Sequence, residues 1–375
     1  MQTIIYDTLN MKEESYMLLA HMAGKESYKE LKEKFEKKYD LVNADAERVF
    51  ILLQKIEKAA KKILKPYMDD VMYYFSGEED GCELADIVLL WEHYNAESKE
   101  EYEKRLLDLS EESYCRLFDE HLSQYGTKLV IDEAGGKGFT VKEIMKHLLA
   151  SDLSDTLKLQ LQDIFWNRSM HQKKVLDLLE KAETVLREFE EPLLYEAHFF
   201  WGYWTHFCET QDFRSYLFSE LNFTITENPY GYELWPVIMM PNRTLLYSDV
   251  DDDDHFSKSD WFGMGILFSA GLPFRIAQLK DEKNMEDYAP EVLRLLADKS
   301  KFEILKYIRE HSAYGSELAK HVNLTTATIS HHMNALYEKG LVELEKENNR
   351  IFYRANKKVI RDVLDYCSDV LTGER

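Results

Sequence analysis

Five short polar side chains stand close together near the C-terminal end of this 375-residue sequence: Thr326, Thr328, Ser330, His331 and Asn334. Each carries a hydrogen-bond donor or acceptor on a short stem. On one exposed helix face, such groups can sink into a major groove and meet base edges, while the N-terminus of that helix attracts a phosphate. Thr325 precedes them, and its hydroxyl can accept one of the orphan N–H groups of a first helical turn. Further on, Lys346, Arg350 and Arg354 supply positive charge suited to phosphates or a minor groove. Taken singly, threonines and serines on a helix are ordinary surface residues. Their meaning depends on the elements that hold them.

Those elements can be read from spacing. Leu295, Leu296, Phe302, Ile304, Leu305 and Ile308 predict a helix over Leu295–Arg309 with one buried face, then a break at His311–Gly315. Glu317–His321 is short and helical, with Leu318 and Ala319 inward and Val322 and Leu324 closing the turn. The next helix runs Thr326–Glu338, with Ile329, Met333 and Leu336 toward the core and Gly340 as its stop. Leu341–Leu344 and Ile351–Tyr353, on either side of polar Glu345–Arg350, predict a β-hairpin. In a last helix, Lys357–Leu371, the residues Val359, Ile360, Val363, Leu364, Cys367, Val370 and Leu371 form an apolar stripe that must pack on something.

Together these features resemble the ArsR-type winged helix-turn-helix family of bacterial regulators over residues 296–355, about a fifth of the chain. The motif runs from Leu296 to Leu305, through Glu317-Leu318-Ala319 and Leu324–Leu336, to Lys339-Gly340-Leu341-Val342 and Arg350–Tyr353. The resemblance implies a homodimer on palindromic double-stranded DNA, with Thr326, Thr328, Ser330 and His331 in base-reading positions. It implies that the final helix and the domain's first helix form the dimer interface, and that an effector relieves repression. Metal-sensing members place cysteines around the helix corresponding to Glu317–His321, or His and acidic ligands on the last helix. Here Ala313–Ala319 has no cysteine and the last helix offers only Asp362, Asp365, Asp369 and Cys367, so arsenic or zinc sensing is not expected. Tyr314 stands where the family usually has a small polar cap.

The remainder of the chain has a different texture. Apolar spacing predicts helices over Ala46–Leu64, Tyr67–Phe75, Glu83–Tyr94, Tyr102–Phe118, Val141–Leu149, Leu157–Phe165 and Lys173–Phe189. Near residue 222 the pattern changes: Phe223–Thr226, Leu234–Met240, Arg243–Ser248 and Met264–Phe268 read as strands of a small antiparallel sheet. Charge-rich 280–288 reads as a surface link. The expected fold class is mainly α with small β: a helical body over 1–221, a β region over 222–290 packed on it, and the winged helix-turn-helix over 291–375.

Other candidate chemistry in the body is weaker. Glu196, His198, His206, Cys208 and Glu209 are potential metal ligands, but residues eight apart on a helix lie more than two turns apart, so no metal site is expected. Phe199, Phe200, Trp201 and Trp204, with Trp235 and Trp261, could instead line a cavity for a small organic effector. Asp249–His255 lacks the spacing of a calcium loop, and Gly135–Gly138 with Lys137 lacks that of a phosphate loop. No Ser or Cys sits in a recognisable nucleophile elbow, so no catalytic residue and no cofactor are assigned.

Net charge is −22, with 13 of the 47 basic and 12 of the 69 acidic residues in 296–375, leaving 34 against 57 in 1–295. An acidic body suppresses non-specific sticking to DNA while a near-neutral terminal domain can still place local positive charge on phosphates. Four scattered cysteines make neither a disulfide framework nor a zinc site. Without a long apolar run or a signal-peptide pattern at the first residues, the expectation is a cytoplasmic protein with no membrane partner. The competing expectation is a winged helix used as a protein-docking module, since the helix Thr326–Glu338 carries no Arg or Lys.

Overall fold

The computed structural model describes residues 3–39, 43–77, 82–90, 104, 108–124, 140–151, 153–221, 223–225, 231–247, 260–270, 282–347 and 350–373. Asp249–His255 and Gly135–Gly138 lie outside them. No helix among the described residues is long and apolar enough to cross a membrane. The chain divides into two compact units, one of Asn10–Pro192 and one of Met1–Leu9 with Leu193–Arg375. The division therefore falls well before the 221/222 boundary drawn from composition.

The first unit is helical: α1 (Met11–Ala23), α2 (Tyr28–Tyr39), α3 (Ala44–Leu64), α4 (Met68–Phe75), α5 (Leu84–Leu89), α6 (Glu111–Gln124), α7 (Val141–Ala150), α8 (Asp155–Trp166) and α9 (Arg168–Arg187). Local signals explain the ends. Asn10, Asn43 and Ser154 cap α1, α3 and α8 with their side chains, and Thr140 with Glu143 forms a reciprocal capping box on α7. Helix α1 packs along α9, α4 and α3, and its Leu18 and Leu19 are fully buried.

One polar chain crosses this core. Tyr74 Oη lies 2.8 Å from His171 Nδ1, and His171 Nε2 lies 3.1 Å from Asp163 Oδ2. Asp163 only accepts, so Nε2 carries the proton of the neutral ring and Nδ1 accepts from Tyr74. Burial holds the His171 pKa below its ordinary value, against the opposing pull of Asp163. The sign follows: the unfolded chain binds the proton more readily, so stability from neutral His171 is present above about pH 6.5 and is lost as pH falls. Melting followed by circular dichroism at pH 7.5 and 5.5 should show a lower midpoint at the acid value, and His171→Gln should shrink the difference. An unchanged difference in that variant would remove His171 as its source.

The second unit contains α10 (Glu190–Thr210) from Leu193 onward, α11 (Phe213–Leu221) and two four-stranded sheets. The first sheet has the order β1-β3-β5-β4, from β1 (Thr3–Ile5), β3 (Tyr232–Val237), β4 (Thr244–Tyr247) and β5 (Asp260–Gly265). Instead of being antiparallel, it is mixed: β1–β3 and β3–β5 are parallel, and only β4–β5 is antiparallel. The reason is non-local, because the N-terminal strand, far away in sequence, supplies one edge. Pro236 lies beyond the end of β1, where β3 is flanked by β5 alone, a position that tolerates a residue without an N–H.

Strand β5 ends earlier than expected, since Ile266–Ser269 is a short helix, α12. The segment read as a surface link is helical from residue 282, within α13 (Glu282–Leu296). Its charge-rich composition conceals Met285, Tyr288, Ala289 and Val292 at helical spacing, all packed in or against the core of the terminal domain. That domain continues with α14 (Lys299–Ile308), β6 (Ala313–Tyr314), α15 (Gly315–Val322), α16 (Thr326–Glu338), β7 (Val342–Glu347), β8 (Arg350–Ala355) and α17 (Lys357–Thr372). The helix expected over Leu295–Arg309 is two helices. Asp298 breaks it by capping α14, its carboxylate accepting from the Lys301 N–H at 2.9 Å.

Candidate nucleic-acid interface

Helices α15 and α16 are set by the turn between them. Asn323 closes α15 in the left-handed region (φ 54°), and the Leu324 N–H reaches back to the Ala319 carbonyl at 3.0 Å. Thr325 then starts α16: its hydroxyl accepts from the Thr328 N–H at 3.1 Å and lies 2.8 Å from the Thr328 hydroxyl. Ile329, Met333 and Leu336 are buried against Leu305, Ile308, Leu318 and Leu341 in one core. At the far end Gly340 takes φ 65° and donates to the Tyr337 carbonyl at 2.8 Å, while Leu341 donates to Leu336 at 3.0 Å. The expected start, inward face and stop of this helix are thus all present.

Burying that face leaves Thr325, Ser330, His331 and Asn334 exposed and Thr326 and Thr328 half-buried. The Thr328 hydroxyl is already engaged in the cap, so of the expected base readers Ser330 and His331 stand most open. His332, missed in the sequence, is half-buried, and its Nδ1 has no hydrogen-bond partner among the described residues. Burial, then Lys301 and His331 nearby, keeps its pKa low despite Asp298. Only the packing of α14 against α16 brings Lys301 and Asp298 there; no local spacing signals it.

The hairpin β7–β8 is antiparallel, in register from Val342 opposite Ala355 to Glu347 opposite Arg350. Arg354 is exposed and stands opposite Glu343. Burial raises the Glu343 carboxyl, an effect Arg354 partly offsets. Arg354 therefore has a glutamate directly across the strand, an arrangement that moderates its charge. Tyr314, at the start of α15, makes no side-chain cap because it belongs to β6: it pairs with Phe352, and the two rings meet edge-on at 5.8 Å.

Helix α17 divides its apolar stripe. Val363 is 1% exposed, and Val359, Ile360 and Cys367 pack against the domain's own core. Leu364, Val370 and Leu371 are 46%, 61% and 80% exposed. Leu293 on α13 and Phe302 on α14 are exposed as well, and α13 packs on both α14 and α17.

The six aromatic residues considered for an effector do not meet in one cavity. Phe200 and Trp204 are fully buried, Phe199 is half-buried and Trp201 is exposed, all on α10. Trp204 packs edge-on against Phe213 and Tyr216, and Phe213 does so against Phe262 on β5. Trp235 and Trp261, half-buried, lie 6.3 Å apart on the other face of the sheet, where Trp235 stacks on Tyr6 at 3.6 Å. Strand alternation separates the two sets. Among the described residues no three His, Cys, Asp or Glu side chains form a metal-binding group; His198 lies 3.7 Å from Asp7, and His206 lies 3.9 Å from Glu209.

Residues 298–343 match the family described as bacterial regulatory protein, arsR family. The chain is 27% identical over 84 residues to the arsenical resistance operon repressor of Staphylococcus aureus, which spans 22% of this chain and 81% of that protein. It is 31% identical over 80 residues to the arsenical resistance operon repressor of Staphylococcus xylosus, 21% of this chain and 73% of that protein. It is also 24% identical over 75 residues to the transcriptional repressor SdpR of Bacillus subtilis (strain 168), 20% of this chain and 83% of that protein.

Proposed function

The chain belongs to the arsR family of bacterial regulatory proteins by its C-terminal domain, and we propose that it works as a dimeric, sequence-specific repressor bound to double-stranded DNA. The observation that carries this is α16: a Thr-capped helix, buried along Ile329, Met333 and Leu336, that presents Ser330, His331 and Asn334 outward. Arg354 and the neighbouring basic residues Lys346 and Arg350 of the wing supply backbone contacts, and α17 with α13 and α14 supplies the dimer contact. No catalytic role is assigned.

Signal input belongs, in this reading, to the part of the chain before residue 282, acted on by an organic ligand or a partner protein. Trp235, half-buried and stacked on Tyr6, and half-buried Trp261 are the aromatic pair we assign to a planar ligand. Regulation requires that such a ligand bind the DNA-competent and DNA-incompetent states with different affinities.

Fluorescence-anisotropy titration of the full chain against fragments from around its own gene tests the DNA reading. Selective binding over shuffled DNA is expected, weakening by roughly 0.9 log unit per log unit of salt for each phosphate neutralised. His331→Ala should cost on the order of 1–3 kcal/mol of discrimination, whereas Arg354→Ala should weaken all sequences alike. Equal affinity for specific and shuffled DNA at moderate salt would favour the protein-docking reading, which Glu343 opposite Arg354 also suits.

A further inference from the structure

The wing carries a strand that the hairpin itself does not supply. Strand β2 (Phe223–Ile225) runs parallel to β7, with Phe223 opposite Leu344, Thr224 opposite Glu345 and Ile225 opposite Lys346. The sheet order is β2-β7-β8-β6, so β7 is an inner strand with a neighbour on each side. Without β2, β7 would be an edge strand whose outward N–H and C=O groups stand open. Here β2 covers that edge, and its Phe223 and Ile225 are buried.

The other end of the same segment is anchored elsewhere. Helix α11 leads into β2, and its Phe213 and Leu217 are buried. Phe213 packs on Trp204 with ring centroids 5.8 Å apart and on Phe262 at 5.4 Å. A short run of chain, buried at Phe213, Leu217, Phe223 and Ile225, therefore joins the aromatic core around Trp204 to the wing. Packed cores change between discrete arrangements and do not deform smoothly, and α11, which touches β2, gives a rearrangement at Phe213 a physical route to the wing.

We propose that β2 is a positioning strand for the wing, through which the aromatic core around Trp204 sets the placement of Arg354 on DNA. This rests on the DNA-binding reading above and gives it a route for regulation: a ligand or partner that repacks the core reaches the DNA contact through α11 and β2. The terminal domain then needs no sensor of its own.

The test uses the full chain with Thr224→Pro, which removes the N–H of the central residue of β2, and with Phe223→Ala, which shortens a buried side chain and leaves the backbone intact. Hydrogen–deuterium exchange of the β7 amides, read without DNA, should accelerate by about tenfold or more in both variants, with overall helical signal retained. Anisotropy on the preferred DNA should show about tenfold weaker binding, with Arg354→Ala adding little further loss in either background, whereas His331→Ala costs the same in every background. Unchanged β7 exchange, or a full Arg354→Ala penalty in the Phe223→Ala background, would overturn the proposal. If the unaltered protein fails to select any DNA, the DNA-binding reading falls instead, and the exchange measurement alone decides whether β2 holds the wing.

Discussion

Leu364→Glu combined with Leu371→Glu is expected to turn the protein into a monomer and to weaken its binding to a DNA with two half-sites by about 10²–10⁴-fold. The size of the effect comes from linkage. In a dimer the second half-site is met at a high effective concentration, and a monomer forfeits that gain without losing any contact of its own. Both leucines are exposed, and Val359, Ile360, Val363 and Cys367 hold α17 to its own domain, so the fold should survive the charges. Leu293 on α13 and Phe302 on α14 are exposed as well, and exposed apolar residues on these helices are what the expected interface would cover. Light scattering should give twice 44.3 kDa for the unaltered chain and 44.3 kDa for the variant. A variant that stays dimeric with undiminished affinity would place the interface elsewhere.

Trp204→Ala is expected to destabilise the C-terminal unit by ~3–5 kcal/mol, the range for emptying a buried tryptophan site. Trp204 is fully buried at the centre of an aromatic cluster, with Phe207 at 5.2 Å, Tyr216 at 5.1 Å and Phe213 at 5.8 Å. The rings around it cannot collapse into the space together, because Phe213 is also held by Tyr232 and Phe262 on the sheet. Thermal unfolding should shift down by roughly 10 °C. Trp204→Phe keeps most of the apolar volume and removes an indole N–H that has no partner among the described residues, so it should cost less. Near-equal midpoints for Trp204→Ala and the unaltered chain would mean that the site is a cavity wall and not core.

The candidate site was legible to the extent that its signals are short-range. Thr325 as a cap, Gly340 as a stop and Ile329, Met333 and Leu336 as a buried face all act within a few turns of one helix. They can be read in a window of about fifteen residues. His332 was missed for the converse reason: its surroundings come from Asp298 and Lys301 on another helix. The stripe on α17 was found, but periodicity could not say which of its members the domain keeps for itself. Val363 is turned inward and Leu371 outward although both lie on the same apolar arc, and the packing of α17 on α13 and the domain core decides between them.

By itself, then, the sequence determined the helix-turn-helix, its wing and the helical character of the body, because caps, stops and 3.6-residue spacing are properties of neighbours in the chain. The tertiary structure decided what pairs with what. It placed Thr3–Ile5 beside Tyr232–Leu234, Phe223–Ile225 beside Leu344–Lys346, and Trp204 and Trp235 on opposite faces of one sheet. Strands satisfy their backbone groups only through partners, and a partner can lie anywhere in the chain. No local pattern records which one closes the sheet, and so the link between the aromatic core and the wing appears only once the chain is folded.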